Sequence, residues 1–282
     1  MKIVQNIAEL RDWRRQVGMR RVVLVPTMGA LHEGHVHLVE QARELAGPNG
    51  CVGVSIFVNP LQFGPKEDFG RYPRELESDA AKCEAAGADI IFAPPVEEVY
   101  APDRSIIVLE QSLSQVLCGA SRPGHFDGVC TVVAKLFNLF QPDHAVFGRK
   151  DYQQLAIIRR MVRDLDYGVR LHGIETVRES DGLAMSSRNR YLDADERHQA
   201  PALLRALQRA QQAWNEGETS AAVLRELAQE VIASEAPLGR IDYLEVVDDT
   251  TLQPLSVVQS NGLIAIAVFF GKARLIDNIE LR

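Results

Sequence analysis

Short apolar runs that stop at glycine or proline and lead into helical stretches recur through the first two-thirds of this sequence. They leave the chain few folds to choose from. The first run, Arg21-Val22-Val23-Leu24-Val25, passes into Pro26-Thr27-Met28-Gly29-Ala30-Leu31-His32-Glu33-Gly34-His35 and then a helical pattern over 36–45. Further runs at 51–58, 89–93, 145–147 and 169–174 are separated by helical patterns over 75–86, 127–140 and 152–165. Most of the runs are apolar rather than alternating, so they read as strands buried on both faces. Strands that alternate with helices predict an α/β fold: a Rossmann-like parallel sheet with helices on both faces. In such sheets ligands bind beyond the carboxyl ends of the strands. Asn6 and Glu9 form a capping-box pattern for a helix ending at Gly18, and 105–109 alternates weakly enough to suggest one more strand.

From Asp181 the character changes. Asp193 and Glu196 predict a capped helix running to about Trp214, followed by a helix over 221–232 and strands over 241–247, 263–270 and 273–279. Gly271-Lys272 between the last two reads as a hairpin turn. The expected division is therefore 1–180, a Rossmann-like ligand-binding domain, and 181–282, a smaller α+β domain closing over the site.

Charge and cysteine usage narrow the function. The 282 residues carry a formal charge of −7, which disfavours a nucleic-acid surface but not small anions, since those need only local cations. Cys51, Cys83, Cys118 and Cys130 lie far apart with no C-x-x-C, the pattern of reduced packing thiols in a cytoplasmic protein. The stretch Met1-Lys2-Ile3-Val4-Gln5 has no signal-peptide apolar core, and no run of 18 apolar residues predicts a membrane span.

Four stretches carry chemistry. At 26–35, a strand-to-helix turn offers unpaired helix N–H groups and a positive dipole end, which suits phosphate. Gly29 and Gly34 allow close approach to the backbone, and His32 and His35 can donate hydrogen bonds to phosphate oxygens. The alternatives are half of a metal site, for which no further His or Cys pair has the spacing, or a plain helix start. At 59–64, the amides of Asn59 and Gln62 suit hydroxyl or carboxylate groups, or simply cap a turn. At 147–154, Lys150 is a compact cation at a second strand–Gly–helix junction, and Gln154 lies one turn further on. Asp151 could cap that helix, pair with Lys150 or meet Mg2+. At 180–189, Ser186 and Ser187 followed by Arg188 form a candidate phosphate clamp.

Two of these stretches resemble known signatures. His32-x-Gly-His35 resembles the HxGH motif of nucleotidyltransferases and class I aminoacyl-tRNA synthetases, and Met185-Ser186-Ser187-Arg188 resembles their KMSKS loop without its lysines. More closely, the sequence is similar to the pantoate–β-alanine ligase family through PTMGALHEGH, FVNPLQF, Glu67-Asp68 with Tyr72-Pro73-Arg74, RPGHFDGV, FGRKDYQQL and DGLAMSSRNRYL. These stand in the family's order over 26–192.

The resemblance implies ATP-dependent condensation of (R)-pantoate with β-alanine through a pantoyl adenylate, releasing AMP and pyrophosphate, with Mg2+ as cofactor. It makes 1–180 the nucleotide- and pantoate-binding domain. It implies that His35, His32, Lys150 and Arg188 are the catalytic groups. ATP would be bound by Pro26, Thr27, Met28, Gly29, Ala30, Leu31, His32, Glu33, Gly34, His35, Gly148, Arg149, Lys150, Asp151, Val177, Met185, Ser186, Ser187 and Arg188. Gln62, Gln154, Asn59 and Tyr72 would bind substrate, and Asp151 would be the nearest protein group to Mg2+. It also implies a homodimer, with no nucleic-acid or membrane partner. The family usually has Glu where Arg149 stands, and a small or apolar residue where His37 stands. Rival readings are nucleotidyl transfer to a phosphate acceptor, an aminoacyl-tRNA synthetase, and a non-catalytic nucleotide-binding regulator. The absence of a Ser or Cys nucleophile elbow fits a reaction run by positioning and charge neutralisation.

Overall fold

The structure is a computed structural model that describes residues 1–65 and 67–282. Its strands are β1 (Lys2–Val4), β2 (Val22–Thr27), β3 (Cys51–Ile56), β4 (Ile90–Phe92), β5 (His144–Gly148), β6 (Arg170–Ile174), β7 (Arg240–Asp248), β8 (Gly262–Phe270) and β9 (Ala273–Leu281). Its α-helices are α1 (Ile7–Val17), α2 (Glu33–Ala46), α3 (Leu76–Ala85), α4 (Val96–Val99), α5 (Leu117–Ser121), α6 (His125–Phe140), α7 (Tyr152–Asp164), α8 (Ala194–Gln199), α9 (Ala202–Asn215) and α10 (Ala221–Glu235). The chain divides into two compact units, Met1–Gln111 with Arg122–Arg149 and Ile157–Glu175, and Ser112–Ser121 with Lys150–Ala156 and Thr176–Arg282.

In the first unit six parallel strands lie in the order β1-β4-β3-β2-β5-β6. Strand order reverses between β2 and β5. That switch point opens a crevice at the carboxyl ends of those two strands, where the turn at 26–35 begins and Gly148 ends β5. Val23, Val25, Val52, Val54, Ile91 and Val146 pack one sheet face against Val39 and Ala42 of α2 and Ala80 and Cys83 of α3. On β3, Gly53 leaves room for an aromatic ring: a Cβ there would sit 2.5 Å from Cε1 of Phe140. Phe140 makes edge contacts with Trp13 at 6.1 Å and Phe92 at 6.2 Å. Burying each such ring contributes about 1.5–3 kcal/mol.

The second unit is an antiparallel sheet, β7-β8-β9, in which Gly271 at φ +50° turns the β8–β9 hairpin. Leu203 and Leu207 of α9 and Leu224 and Ile232 of α10 join Ile264, Ile266 and Phe270 in its core. Its separate stretches are tied by buried polar contacts. The Gln153 side chain donates to Leu113 O and Val116 O, both at 2.7 Å, and accepts from Cys118 N at 2.9 Å.

Three local expectations change. The helix expected from Asp193 to Trp214 is two helices. The Asp193–Glu196 capping box starts α8 as read, but Pro201 has no N–H to continue the ladder, and α9 begins after it. The weak strand at 105–109 pairs with no strand among the described residues. Val108 N instead donates to Thr131 Oγ1 at 3.0 Å on α6, while Ile106 is 82 % exposed. Finally, Lys2–Val4, in which no strand was read, forms β1 beside β4. No helix among the described residues is long and apolar enough to cross a membrane.

Candidate active site

The turn after β2 is built by hydrogen bonds to the neighbouring strand β3 and by one buried carboxylate. Thr27 Oγ1 donates to Ser55 O at 2.7 Å and accepts from Gly29 N at 3.3 Å. Gly29 stands at φ +83° and Ala30 at φ +51°, the left-handed region that an alanine seldom adopts. Asp79 on α3 is fully buried, and its two oxygens accept from Ala30 N at 2.8 Å and Leu31 N at 2.7 Å. Lys82, one turn further along α3, donates to Leu31 O at 2.6 Å.

The chain then enters α2 with extended His32 as N-cap. His32 N donates to His35 Nδ1 at 3.4 Å, and the two half-buried rings lie with centroids 4.1 Å apart. Glu33 is exposed in the first helical turn, followed by Gly34, while Pro26 and Met28 are half-buried beside the turn. Two imidazoles therefore face one helix start, where N–H groups and the helix dipole favour an anion.

Gln62 sits in the same unit, 8 % exposed, on a short 3-10 turn Pro60–Gln62. Its Nε2 donates to Met28 Sδ at 3.0 Å, which ties it to the turn after β2. Asn59 is almost fully buried and acts as a brace. It donates to Gln62 Oε1 at 3.1 Å and to Gly128 O at 3.0 Å, and accepts from Tyr100 OH at 2.9 Å. Behind Gln62, Arg122 donates to both carboxylate oxygens of Glu67 at 2.7 Å and to Gln62 O at 3.2 Å, and His125 Nδ1 lies 2.7 Å from the same carbonyl. Burial would raise the Glu67 pKa, but the hydrogen bond and charge of Arg122 hold it below the usual carboxylate range. Tyr72 is buried edge-on to Phe63. At the end of β5, Arg149 forms an ion pair with Glu175 at 2.7 Å.

The second unit holds the remaining candidates. Burial holds the Lys150 ammonium below the usual lysine range; Asp151 opposes this, Arg188 adds to it and Asp277 opposes it again. A phosphate beside Lys150 would favour its charged form. Asn278 Nδ2 donates to Lys150 O at 2.9 Å. Asp277, 3 % exposed, accepts two hydrogen bonds from Arg178 at 2.6 and 3.0 Å. The Ser-Ser-Arg segment is braced rather than loose. Met185 N donates to Val177 O at 3.0 Å, Asn189 Nδ2 to Glu179 Oε1 at 2.8 Å, and Arg197 bridges Asp181 and Glu179. Ser186 accepts from Arg188 N and starts a 3-10 turn Ser187–Tyr191. Gln154 is half-buried, whereas its neighbour Gln153 is committed to the scaffold of its own unit.

Sequence reasoning gave no role to Asp79 or Lys82, which follow no motif. It quoted Glu67, Arg122 and His125 only within matching stretches. Arg122 and His125 share a partner, the Gln62 carbonyl, which lies 60 residues from Arg122, too far for spacing to reveal.

A parallel sheet whose switch strand ends in a His-x-Gly-His helix start defines a nucleotide-handling α/β protein. The family profile described as pantoate-beta-alanine ligase matches residues 2–280. A pantothenate synthetase of Akkermansia muciniphila is 56 % identical over 260 residues, 92 % of each chain. One of Moorella thermoacetica is 50 % identical over 284 residues, covering 100 % of this chain and 99 % of its own. A solved pantothenate synthetase from Thermus thermophilus superposes with a TM-score of 0.94 at 48 % identity, covering 100 % of this chain and 99 % of its own. The Francisella tularensis pantoate-beta-alanine ligase, solved in complex with beta-gamma ATP and beta-alanine, superposes with a TM-score of 0.82 at 31 % identity, covering 100 % and 98 %. The chain belongs to the pantoate–β-alanine ligase family, and is a carbon–nitrogen ligase.

Proposed function

We propose that the protein condenses (R)-pantoate with β-alanine through a pantoyl adenylate, with His32 and His35 as the phosphate-facing donors. The observation that carries this is the pair of close, tilted imidazoles at the start of α2, with the buried amide of Gln62 tied to Met28 of the same turn. A carboxylate has no usable leaving group at neutral pH. Attack of a pantoate carboxylate oxygen on the α-phosphorus of ATP forms the acyl–phosphate bond, and the bond to pyrophosphate breaks. The β-alanine amine then attacks the acyl carbon, AMP leaves with the electron pair, and the amine loses a proton. Such a sequence needs donors aimed where charge builds up rather than a protein nucleophile.

In this reading the backbone of Pro26, Thr27, Met28, Gly29, Ala30 and Leu31, with Glu33 and Gly34, borders the nucleotide. Gly148, Arg149, Lys150, Asp151, Val177, Met185, Ser186, Ser187 and Arg188 are further ATP contacts, Lys150 and Arg188 supplying positive charge. Gln62 and Gln154 hold pantoate, with Asn59 bracing the Gln62 amide and Tyr72 as a further substrate-site residue. Among the described residues no three acidic, His or Cys side chains cluster as metal ligands. Mg2+ therefore enters as Mg-ATP, with Asp151 as the carboxylate offered to it and charge neutralisation as its chemistry. The ATP and β-alanine bound by the Francisella relative support the substrate assignment.

We further propose a cytoplasmic homodimer. Burial, and the charge of Asp79, push the Cys83 thiol up to about 12, and burial does the same for Cys130, in keeping with reduced packing thiols. Exposed Ile106, Ile107 and Leu109 give a second copy an apolar stretch to cover. The functional division stays at 180/181, with the later part carrying the Ser-Ser-Arg clamp.

The test is to mix protein, Mg-ATP and pantoate without β-alanine. Exchange of labelled pyrophosphate into ATP and a protein-bound adenylate are expected. Release of ADP and inorganic phosphate would overturn the adenylate route in favour of an acyl phosphate.

A further inference from the structure

Asp79 belongs to none of the motifs and has no substrate contact assigned to it, yet it is a fully buried carboxylate with both oxygens committed to one short piece of backbone. Oδ2 accepts from Ala30 N at 2.8 Å and Oδ1 from Leu31 N at 2.7 Å. A buried carboxylate is retained only where it is well hydrogen-bonded, and here it is satisfied by the turn itself. The other side of Leu31 is held as well, since Lys82 Nζ donates to Leu31 O at 2.6 Å. Residues three apart on one face of α3 thus grip the N–H and the C=O of the residue that immediately precedes His32. Ala30, between Gly29 and this grip, stands at φ +51°, a conformation that persists in a non-glycine residue only when its surroundings enforce it. The fit also explains Gly29: a Cβ there would lie 3.0 Å from Asp79 Oδ2 and 3.0 Å from Ile56 Cγ2, at φ +83°.

We propose that Asp79 is a positioning residue for adenylate formation. Its carboxylate fixes the 30–31 backbone, and through it the entry angle of His32 and the ring pair His32–His35 at the start of α2. This rests on the reading above, in which those rings face the phosphates of ATP. The same reaction with the rings free to wander would lose the preorganisation that makes fixed donors effective.

Asp79→Asn separates positioning from bulk. Asparagine keeps the volume but offers an NH2 where one oxygen stood, so Ala30 N–H or Leu31 N–H meets a donor instead of an acceptor. Single-turnover formation of pantoyl adenylate gives two numbers: an amplitude, the fraction of competent chains, and a rate constant per competent chain. We expect the rate constant to fall about 10²-fold, the scale of an ångström-level misplacement. The pantoate concentration giving half-maximal rate should shift little, because Gln62 is braced separately by Asn59. The double variant Asp79→Asn/His35→Ala should lose less than the product of the two single losses, because both act on one ring pair. If Asp79→Asn does not fold, Lys82→Met, which releases only the Leu31 carbonyl, should show the same signature at about tenfold.

A fall in amplitude or melting temperature with an unchanged rate constant would make Asp79 a packing residue and overturn the proposal, as would losses that multiply in the double variant. If His35→Ala alone forms adenylate at the normal rate, the assignment of the histidines fails and the inference falls with it. If His35→Ala is slow and the Asp79 and Lys82 variants are not, only the inference fails.

Discussion

Gly128 lies in the first turn of α6, where glycine costs a helix up to about 1 kcal/mol relative to alanine. On helix propensity alone, Gly128→Ala should stabilise the protein. The structure predicts otherwise. A Cβ at 128 would sit 2.4 Å from Leu61 O, 2.5 Å from Leu61 C and 2.6 Å from Gln62 N. Ordinary contact begins near 3.4 Å, so the turn carrying Gln62 must retreat by about 1 Å. Overpacking of this kind costs about 1–3 kcal/mol, which offsets the helix gain and leaves a net destabilisation of about 0–2 kcal/mol. For a chain of this size that is a drop of a few degrees in Tm. Function should suffer more. Asn59 donates to Gly128 O and to Gln62 Oε1, so the displacement pulls on the brace and on the amide together. A 1 Å shift of the amide proposed to hold pantoate corresponds to about 10²-fold in the rate of adenylate formation at low pantoate. Single-turnover adenylate formation across a pantoate titration, with thermal melting alongside, reads both effects. A variant that melts higher than the parent and keeps its pantoate dependence would refute the reasoning, because the close approach would then be relieved at no cost to Gln62.

Two further outcomes follow from other parts of the molecule. Arg149→Glu restores the residue usual in the family but faces it with Glu175, so steady-state activity should stay within about tenfold, roughly 1.4 kcal/mol of barrier, while a thousandfold loss would show that Arg149 holds phosphate. On neighbouring strands, His144 Nδ1 and His172 Nε2 lie 2.8 Å apart. Burial lowers both pKa values, His172 and nearby arginines adding to the effect on His144 and Arg170 to that on His172. The unfolded chain titrates near 6.5, so above that pH the pair does not affect stability. Below it the unfolded state binds more protons, and stability falls as pH drops. His172→Gln should therefore flatten the decline in Tm between pH 6.5 and 5; parallel profiles for parent and variant would exclude the pair as its source.

Much of this molecule was legible in the sequence because its signals are local. Apolar runs closed by glycine or proline mark β2, β3, β4 and β5, since a strand buried on both faces has no polar alternative. The N-cap at Asn6 and the capping box at Asp193 are likewise set by neighbours in sequence. What failed depends on partners. The 105–109 stretch alternates like a strand, but its Val108 N–H is taken by Thr131 of α6, and no periodicity reports that. Pro201 carried a break signal outweighed by a long amphipathic pattern on either side of it. Asp79 reads as one more acid in the first turn of a helix; only the fold shows that it is buried against a loop 49 residues earlier. Asn59 and Gln62 look alike in sequence, but their partners differ: Asn59 braces Gly128 and the Gln62 amide, while Gln62 reaches Met28 of the turn after β2.

The tie between Lys150 and Asn278 has a consequence for how the protein comes into being. The carbonyl of Lys150 is fastened by a side chain made 128 residues later, and Tyr152 is tied to Glu280 across the same separation. The parallel sheet can assemble from N-terminal segments as they are translated, since its last strand closes at Ile174. Lys150 cannot be set in place until translation has passed Asn278, and closing so long a loop makes that step slow as well as late. A nascent chain would therefore display the histidine turn well before its lysine is seated, and competence should arrive in a single late step rather than grow with chain length.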